Sequence, residues 1–292
     1  MAHCEQNADA CTSDFASRVK HTRQAQSKCS WPFVLRQIKM ETMLETLYGR
    51  NGIHESLRAG RRKAYRLLLA EGIREADIIN RIVSLAKQTQ TPISRVRRHD
   101  LDRLGDVHHQ GVVLETSDYP YSSLDEILAL ARARNEAPLL LLLDLLKDPQ
   151  NVGSLLRTAE TAGVHGVVVQ RRRAVGITPA VVHASAGAVE HMLVAQVTNL
   201  ADTIKQLKER DVWVAGLEAE PGTQLYHEAN LTGALALVVG SEGEGLRRLV
   251  RERCDFLLQL PMHGQISSLN AAVAGSIVLY EILRQREQKA NG

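Results

Sequence analysis

Leu260-Pro-Met-His-Gly-Gln-Ile-Ser-Ser-Leu-Asn-Ala-Ala-Val-Ala-Gly-Ser-Ile-Val-Leu-Tyr-Glu-Ile-Leu-Arg284 is the stretch on which the reading of this chain turns. The apolar run Phe256 to Leu260 reads as a strand, and it stops at Pro261, which lacks the N–H that a ladder needs. A polar loop with Gly264, Ser267, Ser268 and Asn270 follows. The pattern then predicts a helix from Ser268 to Gln285, with small residues Ala271, Ala272, Ala274, Gly275 and Ser276 in its first turns. Small side chains there let a second backbone or a flat ligand come close. Ser268 and Asn270 suit the capping of free N–H groups at a helix start, and they suit a ligand-facing loop equally well.

Upstream, the chain alternates strand and helix from Pro138. The apolar runs 139–143, 166–169, 212–216, 234–239 and 256–260 read as strands. The stretches 152–162, 179–188, 200–210 and 245–251 read as helices. Strands this apolar, set between helices, imply a parallel sheet covered on both faces. Ligands of such sheets bind at the carboxyl ends of the strands, so the loops that follow strands carry the functional reading.

Two more loops stand out. In Leu143-Asp-Leu-Leu-Lys-Asp-Pro-Gln-Asn-Val-Gly-Ser-Leu-Leu-Arg-Thr-Ala159, Asp148-Pro149 makes a turn and Asn151 suits the N-cap of the next helix. Arg157 lies two turns on, among Leu155, Leu156 and Ala159. In Val238-Val-Gly-Ser-Glu-Gly-Glu-Gly-Leu246 the glycines fall at 240, 243 and 245, which is not the dinucleotide spacing. Glu242 and Glu244 stand where a pyrophosphate needs bare N–H groups. Carboxylates there repel phosphate. The expected ligand is therefore unphosphorylated in this region, and a cation is tolerated. S-adenosylmethionine, a sulfonium without phosphate, passes that filter, whereas NAD and ATP do not.

The front half is separate in character. Residues 1–39 show no sustained periodicity and read as a disordered extension, without the apolar core of a signal peptide. From 40 to 115 the pattern is that of a small α/β domain, and 116–136 is a linker with a helical stretch from Leu124 to Ala133. Two basic clusters mark the small domain: Arg58, Arg61, Arg62, Lys63 and Arg66, then Arg95, Arg97 and Arg98. They suit contact with a phosphate backbone. His109 and Gln110 are candidates for RNA contact or for turn formation. The net charge of +3 permits a nucleic-acid partner without requiring one. No apolar run is long enough for a membrane span. The four cysteines include no C-x-x-C pair, so no zinc site is expected, and a chain of this size with a large core needs no disulfide framework, so a reducing cytoplasm fits.

Taken together, Asn151 to Arg157, Gly240-Ser-Glu-Gly-Glu-Gly245 and Pro261-Met to Ser268-Leu-Asn270 resemble, in order and spacing, the three motifs of the SpoU (TrmH-like) family of RNA ribose 2′-O-methyltransferases. Gly49-Arg-Asn-Gly-Ile-His and His109-Gln-Gly-Val-Val resemble the RNA-binding domain, related to ribosomal protein L30, of the RlmB-like branch. That branch methylates a guanosine in the P loop of 23S rRNA. The resemblance runs from about Leu47 to Arg286. It implies a SPOUT-type domain at 137–292 with a trefoil knot, a homodimer, S-adenosylmethionine as cofactor, and no metal. It implies catalytic roles for Arg157, Asn151, Glu242, Ser268 and Asn270, and cofactor contacts from Gly240, Leu260, Met262, Ser268 and Leu269. The chain departs from relatives at Ala271-Ala272, where Val-Ser is more usual, and at His183, in a segment where Lys is frequent.

Other readings are a tRNA or another rRNA site as target, or an RNA-binding ribosome-assembly factor without catalysis. S-adenosylmethionine titration separates the assembly factor from the enzyme. A nucleotide-dependent oxidoreductase conflicts with the glycine spacing and with the two glutamates.

Overall fold

The computed structural model describes residues 44–291, apart from 75, 106, 219–222 and 267. The segment 1–39 and Ser267 lie outside the described residues. Seven strands build the larger sheet: β5 (Leu139–Asp144), β6 (Gly166–Gln170), β7 (Leu193–Val197), β8 (Trp213–Leu217), β9 (Gln224–Leu225), β10 (Leu235–Gly240) and β11 (Phe256–Gln259). Their order is β7-β6-β5-β10-β8-β11-β9, and every pairing is parallel. The leucine run of β5 explains the layers. Leu139, Leu141 and Leu143 share a core with Leu155, Leu156, Val278 and Ile282, from helices α5 (Pro149–Thr161) and α9 (Ala271–Asn291). Leu140 and Leu142 pack on the opposite face, with Ile127, Ile204 and Val250. Those three belong to α4 (Leu124–Ala133), α7 (Leu200–Lys208) and α8 (Arg248–Arg253). Burial of each leucine contributes roughly 1.5–3 kcal/mol as an upper estimate, and burial on both faces is why β5 shows no polar alternation.

The smaller sheet has β1 (Glu45–Tyr48), β2 (Ala64–Ala70), β3 (Ile93–Val96) and β4 (Val112–Thr116), in the order β1-β4-β2-β3. Here β4 runs antiparallel to β1 and β2, and β3 runs parallel to β2. Helices α1 (Arg50–Ala59), α2 (Asp77–Gln88) and the short α3 (Arg98–Asp102) accompany it. Its core, with Leu47, Ile53 and Leu67, is continuous with one face of the large sheet through Tyr119, Val181, Val182 and Val189.

Several boundaries differ from expectation, each for a local reason. Helix α5 starts at Pro149, because Asp148 caps it by accepting from the backbone N–H of Gln150 and Asn151, both at 3.2 Å. Asn151 is therefore not the cap but a first-turn residue with its side chain free for other work. Helix α9 starts at Ala271, not Ser268. Asn270 caps it, accepting from Ala272 N (2.9 Å) and Val273 N (3.2 Å). Helix α6 (Pro179–Ala184) stops short of Ala188, and Gly187 at φ 86° leads into a 3-10 turn, Ala188–His191. The helix expected at 245–251 begins only at Arg248. Strands β1, β7 and β9 were not expected from the sequence; β9 has only two residues, too few to show a period.

Most of the first basic cluster is engaged within the chain, with Arg58 and Lys63 exposed. The Arg62 side chain is wholly buried and meets Glu190 (3.0 Å) and Glu45 (2.5 Å). Arg61 donates to Tyr119 Oη, to Pro120 O and to Met192 O. Arg66 pairs with Glu115 at 2.9 Å and Arg58 with Glu55 at 3.3 Å. In the second cluster Arg97 pairs with Asp100, while Arg95 and Arg98 stay exposed. His109 is buried, holding Asp102 at 2.8 Å and accepting from Gly111 N at 3.0 Å. Gln110 adopts φ 54° and accepts from Arg50 N at 3.0 Å. Both residues take part in a turn, the second of the two roles expected of them. The His183 ring packs 5.1 Å from Tyr48 and 6.5 Å from His108.

Candidate active site

Strands β10, β8 and β11 are neighbours in the sheet, so the loops leaving their carboxyl ends converge. They enclose a cleft of about 590 Å³. Leu217 and Glu218 enter it after β8, Val239 to Gly243 and Gly245 after β10, and Leu260, Met262, Ser268, Leu269 and Asn270 after β11. Of the nine site positions expected, Gly240, Glu242, Leu260, Met262, Ser268, Leu269 and Asn270 line this cleft.

The glycines serve the turn itself. Ser241 N donates to Gly245 O (3.2 Å) and Gly245 N to Ser241 O (3.0 Å), closing a tight loop. A Cβ on Gly240 would overlap the Gly245 backbone, and Gly245 itself sits at φ 65°. Below the loop, Asp144 is fully buried at the end of β5. Its carboxylate accepts from Arg247 N (2.9 Å) and from the Arg247 guanidinium (2.7 Å), which anchors the loop to the central strand.

At the rim the three loops meet through side chains. Asn151 Nδ2 donates to Glu242 Oε1 at 2.5 Å. Asn270 Nδ2 donates to the same oxygen at 2.7 Å and to Asn151 Oδ1 at 2.9 Å. Asn270 thus spends its oxygen on the helix cap and its amide nitrogen on this cluster. Beside the cluster lies a second, smaller cavity of about 190 Å³, bordered by Lys147, Asp148, Asn151, Glu242 and Glu244. Glu218, Glu242 and Glu244 make the region acidic, consistent with a ligand that carries no phosphate there.

Arg157 lies elsewhere. It is exposed on α5, lines neither cavity, and its guanidinium has no hydrogen bond or ion pair among the described residues. Six residues beyond Asn151, it stands about 9 Å further along the helix axis. Neighbouring positions fix α5: Thr158 meets Ser276 of α9 at 2.9 Å, and Gly153 abuts Ala184 of α6 so closely that a Cβ would not fit. Leu217, Glu218 and Asp144 were missed by sequence reading. Asp144, a lone carboxylate ending a five-leucine run, was a signal available for use. Cys254 packs as an apolar residue, its thiol pushed up to about 12 by burial.

Fold and cleft together define a class: an α/β protein with an acidic cleft at the carboxyl edge of a parallel sheet, suited to a ligand without phosphate, and a second small sheet packed alongside. Residues 138–280 match the SpoU rRNA Methylase family, and residues 46–122 match the RNA 2′-O ribose methyltransferase substrate-binding family. YacO of Bacillus subtilis (strain 168), named for the TrmH family of tRNA/rRNA methyltransferases, is 44% identical over 249 residues, covering 85% of this chain and 98% of its own. A TrmH-family relative from Staphylococcus aureus (strain MRSA252) is 41% identical over 240 residues, covering 82% and 96%. The crystal structure of the SpoU methyltransferase AviRb from Streptomyces viridochromogenes, in complex with AdoMet, superposes with a TM-score of 0.71 at 24% identity, covering 87% of this chain and 94% of that one. A crystal structure of an RNA 2′-O ribose methyltransferase gives 0.68 at 25% identity, covering 86% and 92%. The chain belongs to the SpoU (TrmH-like) family of S-adenosylmethionine-dependent RNA methyltransferases.

Proposed function

We propose that the protein methylates the ribose 2′-hydroxyl of a guanosine in 23S rRNA, with the P loop as target. The observation that carries this reading is the Asn151–Glu242–Asn270 cluster, which ties the three motif loops together at the mouth of the cleft. S-adenosylmethionine, when bound, supplies an electrophilic methyl group on a sulfonium. The cleft suits it: Leu217, Val239, Leu260 and Leu269 offer apolar walls for an adenine, the closed Gly240–Gly245 turn leaves backbone edges bare, and Glu218 and Glu242 tolerate a cation. Its volume falls in the usual range for small-molecule sites.

The chain's own part is positioning. A ribose hydroxyl is a poor nucleophile until its proton has somewhere to go. A guanidinium stays protonated in nearly all proteins, so Arg157 serves as a phosphate clamp rather than a base, and a substrate phosphate oxygen takes the proton. Glu242 fixes the amides of Asn151 and Asn270, and with Asn270 fully engaged it is the second N–H of Asn151 that is left for the ribose. Ser268 completes that edge.

The reading extends to a homodimer in the cytoplasm with a knotted carboxyl-terminal region. Val273, Ile277 and Tyr280 support the dimer, being exposed at positions that share one face of α9. The exposed Arg157 on the adjacent α5 suits a clamp at such an interface. The insertion of β10 between β5 and β8, with α9 packed back on Leu155 and Val239, supports the knot. The test is transfer of labelled methyl to unmodified 23S rRNA and, in parallel, to unmodified tRNA, with mapping of the nucleotide. Label at a P-loop guanosine is expected. Label on tRNA alone overturns the target, and no label on either overturns the activity.

A further inference from the structure

We infer that Arg171, Arg172 and Arg173, in the loop after β6, form with Lys147 a grip for the phosphate backbone of the RNA substrate, beside the site rather than in it. This rests on the reading above that the substrate is RNA. All four cations are exposed. Among the described residues none of their side chains has a hydrogen bond or an ion pair. Arg61, Arg62, Arg66, Arg97, Arg247 and Arg284, by contrast, are engaged by acceptors of the chain itself. Although the side chains of Arg95, Arg98 and Arg157 are also without partners among the described residues, Arg171 to Arg173 are the one run of three consecutive arginines in the sequence. Three consecutive guanidinium groups without a carboxylate repel one another, and a polyanion relieves that repulsion.

Their place in the fold adds the second argument. Strand β6 is hydrogen-bonded to β5, so the loop after β6 leaves the same carboxyl edge as the loop that leads to Asn151. The two loops are joined directly: Val175 N donates to Leu146 O at 3.0 Å. Lys147, the next residue, borders the small cavity that Asn151 and Glu242 also border. Glu242 and Glu244 bar phosphate from the cavity itself. A strand of RNA that presents a ribose to Asn151 and Asn270 therefore has to lay its flanking phosphates on neighbouring ground, and this loop is cationic ground next to it. Guanidinium forks match phosphate oxygens in pairs. The grip is blind to base identity and sets register, not sequence.

The experiment uses the full chain and a transcript of unmodified 23S rRNA. The dissociation constant is measured against KCl concentration for the wild type and for the triple variant Arg171→Ser, Arg172→Ser, Arg173→Ser. Each lost phosphate contact lowers the salt slope by about 0.7 on single strands, so a decrease of about 2 is expected, together with a more than tenfold weaker affinity at 0.1 M KCl. Affinity for S-adenosylmethionine should hold, and kcat at saturating RNA should stay within about threefold. The triple Lys variant should keep most of the slope. If the triple Ser variant fails to bind cofactor, the single variants Arg172→Ser and Lys147→Ser replace it, each expected to lower the slope by about 0.7. An unchanged slope and affinity in the Ser variants overturn the grip. A wild type that binds RNA with this slope yet transfers no methyl group overturns the activity and leaves the grip standing.

Discussion

Asn270 carries two duties that a single substitution can separate. Its oxygen caps α9, and its amide nitrogen donates to Glu242 (2.7 Å) and Asn151 (2.9 Å). Asn270→Asp keeps the cap, which an anion at a helix N-terminus favours, but replaces the donor with a carboxylate facing Glu242. Two unit charges about 3 Å apart repel by roughly 1.5 kcal/mol in water and 5 kcal/mol at an intermediate dielectric. Because the cluster is exposed to solvent, the lower end applies. Two lost hydrogen bonds add about 0.5–1.5 kcal/mol each. If the cluster positions the reacting ribose, about 2.5–4.5 kcal/mol is lost, a fall of about 70- to 2,000-fold in kcat/KM. Asn270→Ala loses the bonds without adding repulsion, so its activity should fall less at pH 8, while its helix start loses about 1 kcal/mol of capping. Carboxylates this close share a proton on acidification, which gives the Asp variant a donor again. Its activity relative to the Ala variant should therefore rise from pH 8 to pH 6. The assay is methyl transfer to RNA under kcat/KM conditions, with melting curves of each variant alongside. An Asp variant as active as the Ala variant at pH 8, or one within twofold of the wild type, refutes the positioning role.

Four further outcomes are expected. Arg157→Ala should abolish methyl transfer and leave S-adenosylmethionine binding, measured by calorimetry, within about twofold; full activity would remove Arg157 from the mechanism. Gly240→Ala forces a Cβ into the Gly245 backbone, so cofactor binding should be lost while RNA binding persists. Glu190→Ala leaves the buried Arg62 guanidinium with Glu45 as its one carboxylate partner. Breaking a buried pair costs about 3–5 kcal/mol, or roughly 6–20 °C in melting temperature at 2–4 °C per kcal/mol. His165 is buried and accepts from Leu139 N through Nδ1 at 3.0 Å, and burial holds its pKa below the ordinary value. The unfolded chain then binds the proton first, so His165 contributes full stability above about pH 6.5 and loses it as pH falls from there. Urea midpoints should drop between pH 7.5 and pH 5.5, and His165→Gln should flatten that slope.

Much of the large sheet was legible because its strands are apolar on both sides and separated by amphipathic helices. The carboxyl-edge rule then singled out the loops, and seven of the nine expected site positions do line one cleft. What composition could not reveal was pairing. Asn151 and Glu242 are 91 residues apart, and Asn151 and Asn270 are 119 apart, so their shared hydrogen bonds exist only in the folded chain. The same blindness misled the reading of Arg61, Arg62 and Arg66. Their density suggested phosphate contact, but Glu190, Glu45, Glu115 and a set of carbonyls, distant in sequence, claim them. Conversely Arg171 to Arg173 do not stand out in a chain rich in arginine, and only the fold shows that their loop leaves the carboxyl edge beside the one that leads to Asn151. Glu218 went unread because attention rested on loops with glycine and serine, whereas β8 delivers its carboxylate directly from the strand end.

The central claim is that this cleft and its three-loop cluster methylate a ribose oxygen of RNA. The most direct measurement is nucleoside analysis by mass spectrometry of unmodified 23S rRNA after incubation with the protein and methyl-labelled S-adenosylmethionine. The account predicts labelled 2′-O-methylguanosine, with the modified linkage resistant to alkali. Label on a base, or an RNA that returns unlabelled from a protein shown to bind the cofactor, would contradict it.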